Sequence, residues 1–242
     1  MLTLVLSDIH GNIDALWALE QELSRSGESC DQVLVLGDLV DYGAAPLASV
    51  DWVRRKAHHT VRGNHDHALV TRTDCHSAPP FKEIALAMRE HLRPHFDAAA
   101  LEYLRQLPTR ISTPVDGASA LLVHATPHDP LFECVPPAAP DWRWLEALGQ
   151  LAEENTLVLL GHTHVPFVRT VGRATVVNPG SLGQPRDGDA RGCYAILRDG
   201  RPELRRLEYD VEAAVARLRR LSLPPSHLGF LIHVLRTGEV PR

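Results

Sequence analysis

Gln32-Val33-Leu34-Val35-Leu36-Gly37-Asp38-Leu39-Val40-Asp41 is a short apolar, β-branched block stopped by glycine and followed at once by carboxylates. Such a block predicts a buried strand that delivers Asp38 at its C-terminal end. Four other segments end the same way, with ligand-type side chains just past an apolar run: Ser7-Asp8-Ile9-His10, Gly63-Asn64-His65-Asp66, His124, and Gly161-His162-Thr163-His164. Five strand ends offering Asp, Asn and His to one place point to a metal centre in an α/β protein, with Asp38 as the carboxylate that bridges two ions. Singly, each has a plainer reading. Asp8 could cap a helix, Asn64 could make a turn, and His124 could be a satisfied buried histidine. Their joint occurrence, in order and each at a strand end, outweighs those readings.

Outward from this block, residues 2–6 and 58–61 read as further strands. The helix after Asn12 or Asp14 is expected to present Ile13, Leu16, Trp17, Glu20 and Leu23 on a mostly apolar face. Pro46 suits the first turn of a second helix. Strand alternating with helix implies βαβ units and parallel pairing. Residues 66–107 form a mainly helical insertion, clearest over 83–92 and 98–107. Strands follow at 110–113 and 119–123. The five prolines of 126–140 mark a loop flanking the site. A helix opening at Asp141 is expected to turn Trp142, Leu145, Leu148 and Leu151 inward. Residues 156–160 read as a buried strand, 167–177 and 192–207 as antiparallel pairs, and 211–221 and 227–236 as helices, the second in a tail from 223 to 242. Parallel pairing early and antiparallel pairing late are both satisfied by an α/β fold of two stacked mixed β-sheets flanked by helices on both sides, an αββα sandwich over a single domain, 1–242.

Bulk properties narrow the function classes. The 242 residues carry 44% hydrophobic and 23% charged side chains and a formal charge of −5, which weighs against a nucleic-acid track or an anionic membrane surface. No apolar run reaches membrane-spanning length. The four cysteines are scattered without a C-x-x-C pair, so a reducing, cytoplasmic setting is expected. The start, Met1-Leu2-Thr3-Leu4, has no positive n-region, so no secretory peptide is expected.

The ordered set Asp8-Ile9-His10, Gly37-Asp38-Leu39-Val40-Asp41, Gly63-Asn64-His65-Asp66, His124 and Gly161-His162-Thr163-His164 resembles the calcineurin-like metallophosphoesterase superfamily. Asn178-Pro179-Gly180-Ser181 looks like an element of its small bacterial and archaeal phosphodiesterase-type members. The resemblance implies a metal-dependent phosphoesterase that hydrolyses phosphodiester or phosphomonoester bonds of small substrates by attack of a metal-bridging hydroxide. It implies two divalent ions, with manganese first and iron, zinc, cobalt or nickel as alternatives. Asp8, His10 and His164 would hold one, Asn64, His124 and His162 the other, and Asp38 both. His65 would be the catalytic acid and Asp41 would orient it. Asn12 and Arg186 are candidate substrate contacts, against a helix cap and a surface salt bridge respectively. Tyr42 stands where the Ser/Thr protein phosphatase branch has arginine, which weighs against that activity. The retained His65 weighs against a non-catalytic scaffold of the same fold. A homo-oligomer is compatible with the open ends of the two sheets.

Overall fold

The computed structural model describes residues 2–154 and 156–241; the ends of the expected domain, Met1 and Arg242, lie outside them. The chain runs through β1 (Leu2–Leu6), α1 (Ile13–Ser26), β2 (Gln32–Val35), α2 (Pro46–Lys56) and β3 (His59–Thr60). The insertion contributes α3 (Asn64–Thr71), α4 (Phe81–Leu92) and α5 (Ala98–Gln106). Then come β4 (Arg110–Val115), β5 (Ala118–Val123), α6 (Asp141–Leu148), β6 (Leu157–Leu159), β7 (Phe167–Val171) and β8 (Ala174–Asn178). Last are β9 (Gly192–Arg198), β10 (Arg201–Leu207), α7 (Val211–Leu218) and α8 (Pro225–Thr237). One sheet has the order β10-β9-β1-β2-β3 and the other β4-β5-β6-β8-β7. Both are mixed. β1, β2 and β3 are parallel, as are β5, β6 and β8, and the remaining pairs are antiparallel.

Period-two burial explains the layers. In β1, Leu4 and Leu6 join the cluster under α1, α2 and α5, while Val5 joins the cluster between the sheets. In β9, Tyr194 and Ile196 face out to the helices, and Ala195 and Leu197 face the second sheet. β6 repeats this, with Leu157 and Leu159 inward and Val158 against α6. Because β1, β6 and β9 are covered on both faces, they read as nearly continuous apolar runs, whereas the edge strands β4, β7 and β10 alternate with exposed residues. A third cluster joins Phe81, Ile84 and Met88 of α4 to Leu231 and Leu235 of α8, so the tail roofs the insertion.

Two helix faces differ from expectation in phase, not in period. On α1 the buried stripe is Ile13, Leu16 and Leu19, while Trp17 is 44% exposed with the Arg217 guanidinium 5.1 Å from its ring centroid. On α6, Trp142 and Leu145 point outward, and Trp144 is fully buried against Phe167, their ring centroids 5.4 Å apart. Trp144, Ala147 and Leu148 form the inward stripe. The helix stops at Gly149, whose φ of 56° passes the chain into a 3₁₀ turn. A stripe that could be drawn through either of two tryptophans two residues apart is decided by which one the opposing sheet can accommodate.

Candidate metal centre

The C-terminal ends of β1, β2, β3, β5 and β6 lie on one edge of the two-sheet core, where crevices outside strand ends collect ligands. Backbone bonds sew these ends together. Asp8 N donates to Gly37 O at 3.1 Å, His10 N to Asp38 O at 2.9 Å, and Gly161 N to His124 O at 2.8 Å. His162 N donates to Asp8 Oδ2 at 3.1 Å, which joins one sheet to the other. Asp8, His10, Asp38, His162 and His164 all have φ between 46° and 68°. The left-handed region costs a non-glycine residue roughly 1–2 kcal/mol, so strain is concentrated at the residues that face the centre. Gly63 and Gly161 are needed for close approach and not for turning. A Cβ on Gly63 would lie 2.0 Å from Asp38 Oδ1, and one on Gly161 would lie 1.8 Å from Ser7 Oγ.

The donor set has a clear polarity. His10 Nδ1 lies 2.8 Å from Val40 O and His164 Nδ1 lies 2.6 Å from Gln184 O. A carbonyl only accepts, so each Nδ1 carries the proton and each Nε2 presents a lone pair. Those two Nε2 atoms are 3.2 Å apart, with Asp8 Oδ1 3.2 Å from that of His164. Asp8 Oδ1 is buried and has no hydrogen-bond partner. The neighbouring cluster repeats the pattern. His124 Nδ1 donates to Leu36 O at 2.7 Å, and Asn64 Nδ2 donates to Cys75 O at 2.6 Å. His124 Nε2 therefore faces Asn64 Oδ1 at 2.9 Å, His162 Nδ1 at 3.2 Å and Asp38 Oδ2 at 3.3 Å. Asp38 Oδ2 also lies 3.7 Å from His10 Nε2, between the two clusters. In the first cluster lone pairs converge in a dry site with no donor between them, which fits a cation, and the mixed O/N donor set of the two clusters fits borderline divalent ones.

Charge states agree. Burial holds His10 well below the ordinary histidine range and lowers His164, and burial with His124 pushes His162 down to about 3. For Asp8 and Asp38, burial raises the carboxyl but the surrounding imidazoles pull harder, and both stay below the carboxylate range. His124 is the exception. Burial lowers it, yet Asp38 outweighs burial and carries it up to about 9. Asp38 thus favours the protonated form of His124 when no cation is bound.

Beside the clusters, His65 Nδ1 donates to Asp41 Oδ2 at 2.6 Å. Its Nε2 lies 3.2 Å from Ser77 Oγ and 3.3 Å from the Tyr42 hydroxyl, and 4.0 Å from Asp38 Oδ2. Arg89 was not foreseen from sequence. Its Nε donates to Asp41 Oδ2 at 2.8 Å and its Nη2 to the same oxygen, so Asp41 is gripped from behind while it orients His65. The signal was present: Arg89 interrupts the buried stripe Phe81, Ile84, Ala85, Met88, Leu92 of α4, where a cation needs an internal partner.

Asp66 also has a role that the motif did not reveal. Its carboxylate accepts from the backbone N–H of Asp38, Leu39 and Gly63 at 2.9, 2.9 and 3.0 Å, fixing the Asp38 turn against the start of α3. Asp66→Ala leaves three buried donors unpaired, at about 1–3 kcal/mol each. It is expected to destabilise the fold by at least about 3 kcal/mol, read as a lowered urea midpoint at unchanged m-value. Asn178 and Ser181 play a similar part, with Ser181 Oγ donating to Asp8 O at 2.7 Å and Asn178 Nδ2 to Gly161 O at 2.7 Å.

The two candidate substrate contacts fare differently. Asn12 caps α1, its Oδ1 accepting from Ala15 N at 3.1 Å, and its Nδ2 donates to Gly183 O at 3.0 Å, so both ends of the amide are engaged. The alternative of a surface salt bridge for Arg186 is overturned. Its guanidinium carbon lies 3.8 Å from the Phe81 ring centroid, and no ion pair engages it among the described residues.

Residues 1–199 match the model of the calcineurin-like phosphoesterase superfamily domain. An uncharacterized protein of Methanocaldococcus jannaschii is 28% identical over 239 residues, covering 91% of this chain and 93% of its own. The crystal structure of a metallophosphoesterase from Sphaerobacter thermophilus is 31% identical, covers 98% of this chain and 99% of its own, and superposes with a TM-score of 0.77. A hypothetical protein from Pyrococcus horikoshii shares the fold, at 21% identity and a TM-score of 0.82 over 99% of both chains.

Proposed function

This chain belongs to the calcineurin-like phosphoesterase superfamily, and on that premise we propose that it hydrolyses phosphodiester or phosphomonoester bonds of small substrates at a centre of two divalent metal ions. The observation that carries the proposal is the convergence of the His10 and His164 Nε2 lone pairs and Asp8 Oδ1 with no donor between them, beside a second cluster of Asn64, His124, His162 and Asp38. Asp8, His10 and His164 would hold one ion, Asn64, His124 and His162 the other, and Asp38 would be shared. The ions supply Lewis acidity that activates a water and draws charge from the phosphoryl group.

The remaining roles fall to this chain's own side chains. His65 carries its proton for transfer on Nε2, since Nδ1–H is committed to Asp41, and gives it to the leaving oxygen as the P–O bond breaks. Asp41 and Arg89 hold the imidazole plane. Tyr42 and Ser77 offer hydroxyls to the same Nε2 and keep the ring aimed into the cleft when no substrate is present. The four cysteines are free thiols, and among the described residues no helix is long and apolar enough to cross a membrane.

Elemental analysis of protein reconstituted with manganese, paired with hydrolysis of an aryl phosphomonoester and an aryl phosphodiester, tests this reading. About two ions per chain with metal-stimulated turnover are expected. Turnover that survives complete metal removal would overturn it.

A further inference from the structure

Arg186 is a cation without an anion. The two arginines beside His65 divide cleanly: Arg89 is consumed by Asp41, whereas Arg186 has no carboxylate within ion-pair distance among the described residues. Its Nη2 donates to the neutral Gln184 Oε1 at 2.6 Å, and its Nε is buried with no partner. The guanidinium stacks on Phe81 and lies 5.6 Å from the Tyr42 ring centroid. That ring in turn packs 4.8 Å from both His10 and His65, so Arg186 is one side-chain layer from the metal ligands and the acid.

Its position is built. Gln184, two residues earlier, accepts from His164 Nδ1 through its carbonyl. Gln184 N donates to Ser181 Oγ at 2.8 Å, Gly183 N to Asp8 O at 3.1 Å, and Gly188 N to Gly238 O at 2.9 Å. The loop is thus stapled to the Asp8 turn at one end and to the tail at the other. Stacking on Phe81 uses the face of the guanidinium, and on its edge Nη2 is given to Gln184 while Nε has no partner. A fork held at its face, with an unsatisfied buried N–H, calls for an external oxyanion.

We propose that Arg186 grips the non-bridging oxygens of the substrate phosphoryl group and thereby favours monoesters over diesters, an inference that rests on the phosphoesterase reading above. Tyr42 follows Asp41 in the strand-end turn, and the cationic fork beside it comes from the separate loop after Ser181. A monoester presents three non-bridging oxygens and up to two negative charges, and a diester presents two and one. A guanidinium added to a cationic centre is matched by the first.

Metal-loaded wild type, Arg186→Met and Arg186→Lys are compared by calorimetric titration with inorganic phosphate, and by kcat/KM for an aryl monoester and its methyl diester. Arg186→Met is expected to weaken phosphate binding about 10–100-fold and to lower monoester kcat/KM by a similar factor. The diester is expected to lose about threefold or less, with metal content unchanged. Arg186→Lys, a charge without a fork, is expected to recover part of the loss, and it reads the same ratio if the methionine variant does not fold. Unchanged phosphate affinity and an unchanged monoester-to-diester ratio, in variants that hold metal and turn over, would overturn this inference alone. A wild type that takes up neither metal nor phosphate would overturn both readings.

Discussion

His65→Ala is expected to keep its full metal content and to lose about 10²–10⁴ in turnover, the range that a positioned general acid supplies. Geometry separates the two outcomes. His65 joins neither lone-pair cluster, since its Nδ1 is spent on Asp41 and its Nε2 faces Tyr42 and Ser77. The alanine leaves its neighbours in order. The backbone N–H of residue 65 still donates to Asp38 Oδ1 at 2.9 Å, and Asp41 remains paired with Arg89. Alanine is also at ease in the first turn of α3. If the lost function is proton donation, the deficit should grow as the leaving group becomes more basic, so an alkyl ester should suffer far more than a nitrophenyl ester. Elemental analysis with a leaving-group series checks this. A variant that loses metal in step with activity would make His65 a ligand instead.

Asp38→Asn is expected to be more damaging, with loss of at least one ion per chain and a fall in turnover on the order of 10³-fold or more. Asp38 Oδ2 lies 3.3 Å from His124 Nε2 and 3.7 Å from His10 Nε2, so it reaches both clusters. Asparagine preserves shape, and its Oδ1 can still accept from His65 N. Its amide N–H can donate to His124 Nε2 from the place where the Asp38 carboxylate oxygen lies. The metal-free variant should therefore melt close to the metal-free wild type. Added manganese should raise the melting temperature of the wild type and leave that of the variant nearly unmoved. Equal metal-dependent stabilisation of the two proteins would remove Asp38 from its bridging role.

The strand ends were legible because each rests on a local signal: an apolar β-branched run, a glycine, then Asp, Asn or His. Every strand expected from 2–6 to 203–207 is present, with ends moved by a few residues; β1, β6 and β9, covered on both faces, are apolar nearly throughout, and β4, β7 and β10 alternate. Helix faces were less legible. Trp17 and Trp142 sit beside better-placed neighbours, and only the opposing sheet chose between them. Arg89 and Arg186 were harder still. The partner of Arg89 lies 48 residues away, and the ring beneath Arg186 belongs to α4, in the insertion.

By itself, then, the sequence determined the two-sheet sandwich, the edge at which its strands stop, and the set of side chains offered there, because periodicity and glycine stops are properties of neighbouring residues. Only the tertiary structure decided which nitrogen of each histidine faces inward, that Asp66 ties the Asp38 turn to α3, and that one arginine is spent on Asp41 while the other stays free. Those outcomes depend on carbonyls, carboxylates and rings brought together from distant segments, and a ring's tautomer or a cation's counter-charge is set by what it touches across the fold, not by what precedes it in the chain.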